Sequence, residues 1–207
     1  GDRRAAMEFV KALSRGGCPA ATLADDLIRP VMERIGHGWF VGTLDVFQEH
    51  QASHAIAAAL HELIADAASR SASGPLAIGA TTEGDPYVLS CLLGELVLRE
   101  MGWEVRNLGV DLPLRSLTKA ALVYRPRMVF LSINHVKDET LFAQEFGRFH
   151  EAAVGVGAAV IVGGRAMEAS LRSRLPYASC GERMSHLAAF ARCLEREPAV
   201  ERPRDEA

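Results

Sequence analysis

Ala77-Ile78-Gly79-Ala80-Thr81-Thr82-Glu83-Gly84-Asp85-Pro86-Tyr87-Val88-Leu89-Ser90 decides how the rest of this 207-residue chain is read. An apolar run ends in small and acidic residues, and a helical periodicity starts near Pro86. That is a strand feeding a helix through a tight loop, the place where open α/β sheets put their ligands. Downstream, short apolar runs at 103–108, 127–133 and 158–162, with a weaker one near 176–180, join 75–81 as strand candidates. Helical patterns fill 86–101, 113–124, 138–154, 165–174 and 184–195. This alternation predicts a parallel sheet with helices on both faces. Five strands suggest the flavodoxin-like (Rossmann-like) order 2-1-3-4-5, with the first and third strands at the switch point.

Upstream, the chain reads as helices only. Asp2 can cap a first helix with Ala6, Phe9, Val10 and Leu13 on its apolar face, ended by Gly16-Gly17. A second follows Pro19, with Leu23, Leu27, Val31 and Ile35 at helical spacing, a bend expected at Pro30 and a stop at Gly36 and Gly38. Thr43 is the expected cap of a third, from Leu44 to about Ser69, with Ile56, Leu60, Leu63 and Ala67 as its core stripe. On that helix His50, His54 and His61 fall within roughly 40° of one another, away from the stripe. The polar, small-residue run Ser69 to Gly74 reads as a boundary. The organisation expected is a helical-bundle cap over 1–70, an α/β domain over 75–197 and a disordered tail over 198–207.

Apolar residues make up 49% of the chain and charged residues 24%, as in ordinary globular proteins. A net charge of -3 leaves no nucleic-acid footprint, so DNA is expected to be touched only through a domain or partner outside this stretch. No apolar run is long enough to span a membrane, and no signal peptide opens the chain. Four scattered cysteines without zinc spacing fit reduced thiols and a cytoplasmic protein.

The loop ending Glu83-x-Asp85-x-Tyr87-x-x-Ser90 resembles the Glu-x-Asp-x-His-x-x-Gly loop of cobalamin-binding domains, and Trp39 followed ten residues on by Glu49-His50 resembles the Trp-x9-Glu-His pattern of their helical cap. Gly109-Val110-Asp111-Leu112-Pro113, Ser132 at the third strand's end and Gly163-Gly164 after the fourth stand in register with the same family. The family includes MerR-type light-dependent cobalamin repressors and methionine-synthase-type corrinoid modules. The resemblance implies that Trp39 packs over the upper corrin face, that Glu49 and His50 reach the same cavity, and that Glu83, Gly84, Asp85, Tyr87 and Ser90 form the lower loop. It implies further that Ser132 and Asn134 lie along the ligand and that Gly163 and Gly164 line the slot of the nucleotide tail.

The departures are chemical. Tyr87 stands where the family has the histidine that binds cobalt, and a neutral phenol with a pKa near 10 is a poor ligand. Phe40 stands where light-responsive members carry a second histidine, and Ser90 replaces a glycine. His135, just past the third strand, is the substitute cobalt ligand by topology. The reading that results is a ligand-sensing module of a transcriptional regulator, homo-oligomeric and open to light control, binding cobalamin without the usual histidine. Three alternatives stand beside it: a ligand-free interaction scaffold, a domain retuned for bilin or haem, and a corrinoid carrier in methyl transfer.

Overall fold

The computed structural model describes residues 2–68 and 74–196. The expected tail over 198–207 and the boundary at 69–73 lie outside them. Helix α1 (Arg3–Arg15) starts on Asp2, whose carboxylate accepts from Ala5 N at 3.0 Å. Its inward face is Met7, Val10 and Leu13, with Phe9 exposed, one residue round from the expected face. The cause is Lys11, nearly buried because its ammonium bridges Glu8 and Glu62 of a neighbouring helix. Its alkyl stem lies inward, and Phe9, about 200° away round the helix, is turned out to solvent.

Helix α2 (Ala20–Thr22), a π turn (Leu23–Ile28) and α3 (Arg29–Phe40) run on without a break. The wider i→i+5 ring inserts one residue before Pro30, so that Ile28 is buried beside the still half-buried Leu27, and Met32 packs inward where Val31 was expected. The stop expected at Gly36 and Gly38 does not occur. The helix reaches Phe40 and ends at Gly42, whose φ of 75° supplies the left-handed residue. Gly38 serves packing instead: a Cβ there would sit 2.9 Å from Leu44 Cδ1. Thr43 Oγ1 donates to the Gly38 carbonyl at 3.0 Å, so this residue closes α3 rather than opening the next helix. Helix α4 (Val46–Ala68) follows, its entry held by Asp45 N donating to Gln48 Oε1 at 2.8 Å. The stripe Ile56, Leu60, Leu63 and Ala67 is buried as expected.

The sheet is parallel throughout, in the order β2-β1-β3-β4-β5. Its strands are β1 (Leu76–Thr81), β2 (Glu104–Asn107), β3 (Met128–Ser132), β4 (Ala159–Gly163) and β5 (Ser179–Gly181). Helices α6 (Leu114–Tyr124) and α7 (Glu139–Gly155) bury Val129, Leu131, Val160 and Val162 on one face. Helices α5 (Val88–Glu100) and α9 (Met184–Arg196) lie on the other, over Ala77, Met128, Phe130 and Ile161. The helix expected over 165–174 shrinks to α8 (Ala169–Arg172), because the backbone from 165 to 167 is held by turn hydrogen bonds to Asn134, Ile133 and Gly164.

Helix α5 is buried from Cys91 to Leu98, apolar there except for Glu95, which pairs with Arg99 at 2.8 Å, and so must be covered on its outer side. The helical segment supplies that cover: Leu23, Leu60, Leu63 and Ile64 share one core with Leu92, Leu93, Leu96 and Val97. Polar ties fix its placement. Glu100 Oε2 accepts from Ala20 N at 2.8 Å, and Asp25 accepts from Met184 N and Ser185 N at 2.8 and 3.0 Å. Arg29 Nη1 donates to the Glu182 carbonyl at 2.8 Å.

Candidate functional site

Strand pairing brings four strand ends into one row. Thr81 is in register with Ser132, Ser132 with Gly163, and Gly163 with Gly181. The loops leaving this row carry most of the residues singled out from sequence. Among them Asp85 is the centre. It is fully buried, and its carboxylate has three donors: Tyr87 N to Oδ1 at 3.1 Å, and Asn134 N and Nδ2 to Oδ2 at 2.8 and 2.9 Å. A buried carboxylate is tolerable only when its lone pairs are satisfied in this way.

Asn134 extends the chain. Its Nδ2 also donates to Ser132 Oγ at 2.9 Å, and its Oδ1 accepts from Arg165 N at 3.1 Å. One network therefore runs from the Tyr87 backbone through Asp85 and Asn134 to the Arg165 backbone. Asp85 N–H and C=O are held too, by Thr82 O and by Thr81 Oγ1, the latter at 2.5 Å. Gly84, at φ 84°, donates to Asp111 Oδ1 at 2.6 Å. Because Asp85 holds Tyr87 N–H outside the helix, α5 starts at Val88, two residues later than expected.

Above this network lie exposed side chains. The Tyr87 ring is half-exposed, with the Arg165 guanidinium 4.9 Å from its centroid. Ser90 Oγ donates to the Tyr87 carbonyl at 3.2 Å. His135 packs beside Gly84, its Cδ2 3.5 Å from where a Cβ would stand. Asn134, His135, Glu139, Arg165 and Glu168 border an open depression of about 450 Å³. Glu83 stands exposed in the loop. Thr82 Oγ1 is buried with no hydrogen-bond partner among the described residues, an unmet polar group at the loop's start.

The glycine pair has structural work. A Cβ at Gly163 would run into the Gly181 carbonyl, and one at Gly164, with φ 111°, into the Ile133 backbone. Trp39 stands near the end of α3, and Glu49 and His50 near the start of α4. Trp39 is half-exposed and borders a separate depression of about 400 Å³ lined by residues of the α3–α4 turn, among them Thr43, Leu44 and Val46. Glu49 accepts from Ser53 Oγ at 2.8 Å and lies 3.6 Å from His50 Nε2. Among the described residues no group of three His, Cys, Asp or Glu could hold a metal ion. Cys91, the thiol below the loop, is pushed up to about 12 by burial and then by the charge of Asp85, so it stays protonated and unreactive. Sequence reading passed over Arg165; its signal was a cation directly after the Gly163-Gly164 pair at a strand's carboxyl end.

Comparison with known proteins follows the same lines. Residues 1–64 match the family described as B12 binding domain. The chain is 32% identical over 149 residues to the HTH-type transcriptional repressor CarH of Myxococcus xanthus, covering 72% of this chain and 48% of that protein. It is 33% identical over 119 residues to the repressor CarA of the same organism, covering 58% of this chain and 39% of that protein. The chain thus spans less than half the length of either repressor. The monomethylamine corrinoid protein of Methanosarcina barkeri superposes with a TM-score of 0.71 at 18% identity, over 91% of this chain and 89% of that one. At that identity the likeness speaks for the fold.

Proposed function

This chain belongs to the cobalamin-binding domain family, and from that premise we propose that it is the ligand-sensing module of a transcriptional regulator, reading cobalamin at the row of strand ends without a histidine from the β1–α5 loop. The division into a cap over 1–70 and a ligand domain over 75–197 is part of this reading. The observation that carries it is the Tyr87–Asp85–Asn134–Arg165 network. A buried carboxylate and a carboxamide are fully committed to holding exposed groups still at the switch point of the sheet, which folding alone does not require.

The residues present fit the group at its polar periphery. A corrin bears amide side chains, and the rim offers acceptors in Glu83, Glu139 and Glu168 and a donor or acceptor in the His135 imidazole. Gly84 lets backbone approach closely, Asn134 and Ser132 hold the wall, and His135 is the imidazole nearest the loop. Trp39 on the cap is an exposed apolar surface that a bound ligand would cover. When bound, cobalamin supplies a cobalt whose axial ligands can be exchanged, so that ligand state becomes the signal.

The output belongs to the cap. It rests on α5, the helix whose amino end carries the loop, and is latched to α9 by Asp25, so a ligand that displaces the loop alters how the cap packs. Through its oligomeric state, that change reaches DNA by way of a segment or partner beyond this stretch, in keeping with relatives that are repressors. Light control is one form the signal takes.

A second reading, the ligand-free scaffold, is favoured by one observation. The Phe130 ring fills the space between Gly79 and Gly94, beside the strand that feeds the loop. An absorption spectrum after incubation with hydroxocobalamin and desalting separates the two. Retained corrin bands at one per chain are expected. A spectrum without them refutes the cobalamin sensor and leaves the scaffold, and Soret or bilin bands in protein as purified point to a retuned domain.

A further inference from the structure

The cofactor named above carries an arm that the corrin proper does not: a phosphodiester leading to a flat base. The arm needs a slot in the core or a surface outside it. The core is closed. A Cβ at Gly79 would meet the Phe130 ring, one at Gly94 would stand 2.7 Å from Phe130 Cε2, and Gly163 and Gly164 already back onto the Gly181 and Ile133 backbone. These are the places where missing side chains could have left room, and the protein's own atoms fill each of them.

Outside, the arginine that borders the depression is unspent. Arg165 is exposed, and its guanidinium makes no ion pair or hydrogen bond among the described residues. Glu139 and Glu168 border the same depression, yet Glu139 pairs with Arg174 instead, at 3.5 Å, and Glu168 does not pair with Arg165. The guanidinium lies with its carbon 4.9 Å from the Tyr87 centroid. One face is covered by the phenol, which leaves the other face and the N–H edge open. A planar cation of this kind stacks on a flat π-system and grips phosphate through paired N–H groups. Both partners are anchored through the backbone by the same network, Tyr87 by Asp85 and Arg165 by Asn134. The platform is therefore in place before any ligand arrives, which lowers the ordering cost of binding.

We infer that Arg165, stacked on Tyr87, receives the phosphodiester and base of the cofactor's nucleotide arm on the outside of the sheet, so that the arm is not threaded into the core. The inference rests on the cobalamin reading above. It differs from the sequence expectation that Gly163 and Gly164 line a tail slot, and it gives Tyr87 a supporting role where a cobalt ligand is missing.

The test compares hydroxocobalamin with hydroxoaquacobinamide, the same corrin and hydroxo ligand without the arm, by absorption titration of the full chain and of Arg165→Met and Arg165→Lys. Arg165→Met should weaken cobalamin about tenfold and leave cobinamide unchanged, the loss expected of one charge-assisted contact. Arg165→Lys, which keeps the charge and loses the planar stack, should fall between. Cobalamin affinity of the wild type should also decline with added salt while that of cobinamide does not. Equal losses for both ligands, or no loss for either, would overturn the inference while the sensor reading stands. Failure of the wild type to bind either corrin would remove the sensor reading and the inference with it. Arg165 is exposed, so unchanged melting of both variants is the control for folding.

Discussion

Replacing Asp85 by Asn is the sharpest test of the network, because it exchanges one heavy atom and keeps the shape. The carboxylate accepts one hydrogen bond at Oδ1, from Tyr87 N, and two at Oδ2, from Asn134 N and Nδ2. A carboxamide has a single acceptor. Its best orientation turns the carbonyl to Asn134 and sets the NH2 against Tyr87 N–H, donor facing donor. The lost bond to a charged acceptor costs about 1.5–3 kcal/mol, and the two that remain weaken by about 0.5–1 kcal/mol each as the charge disappears. Relief from burying a charge offsets part of this. A net loss of about 2–4 kcal/mol is expected for a residue with no solvent exposure. Urea unfolding at neutral pH measures it. Asn134→Ala supplies the cycle: with the Nδ2 donor already gone, Asp85→Asn should cost about 1 kcal/mol less than in the wild type. Cobalamin affinity should fall in both single variants, since Tyr87 and Arg165 lose their anchors. A loss below about 0.5 kcal/mol, or strict additivity in the cycle, would refute the claim that this carboxylate organises the site.

Two other substitutions read other parts of the molecule. Trp39→Ala removes a ring that is 53% exposed, so it should cost about 1–2 kcal/mol, well under the 3–5 kcal/mol or so of a buried aromatic, while weakening cobalamin about tenfold; a buried-type loss in thermal melts with unchanged affinity contradicts a role at the ligand. Asp25→Ala leaves Met184 N and Ser185 N without their acceptor at the start of α9 and should cost about 1–2 kcal/mol, with faster hydrogen exchange at that helix start; protection equal to wild type would show that the cap is not latched there.

Strand–helix alternation, the five-strand order and the buried stripe of α4 were legible from residues 1–207 alone, because each follows from a short-range period that burial on one face or two imposes on the chain. The loop at 82–90 was legible for the same reason: it is where one period gives way to another. The details that position the site were not, since they depend on partners far away in sequence. Lys11 turned α1 by answering Glu62, and Asp25 found its donors some 160 residues on, at 184 and 185. Asp85 was expected only as one member of the lower loop. Its donors proved to be Asn134, 49 residues away, and the Tyr87 backbone. Gly79 and Gly94 stand 15 residues apart, and only the packed sheet puts the Phe130 ring between them. A local pattern can say that a group will be buried; which donor satisfies it, and which side chain fills the space beside it, is settled when the strands come into register.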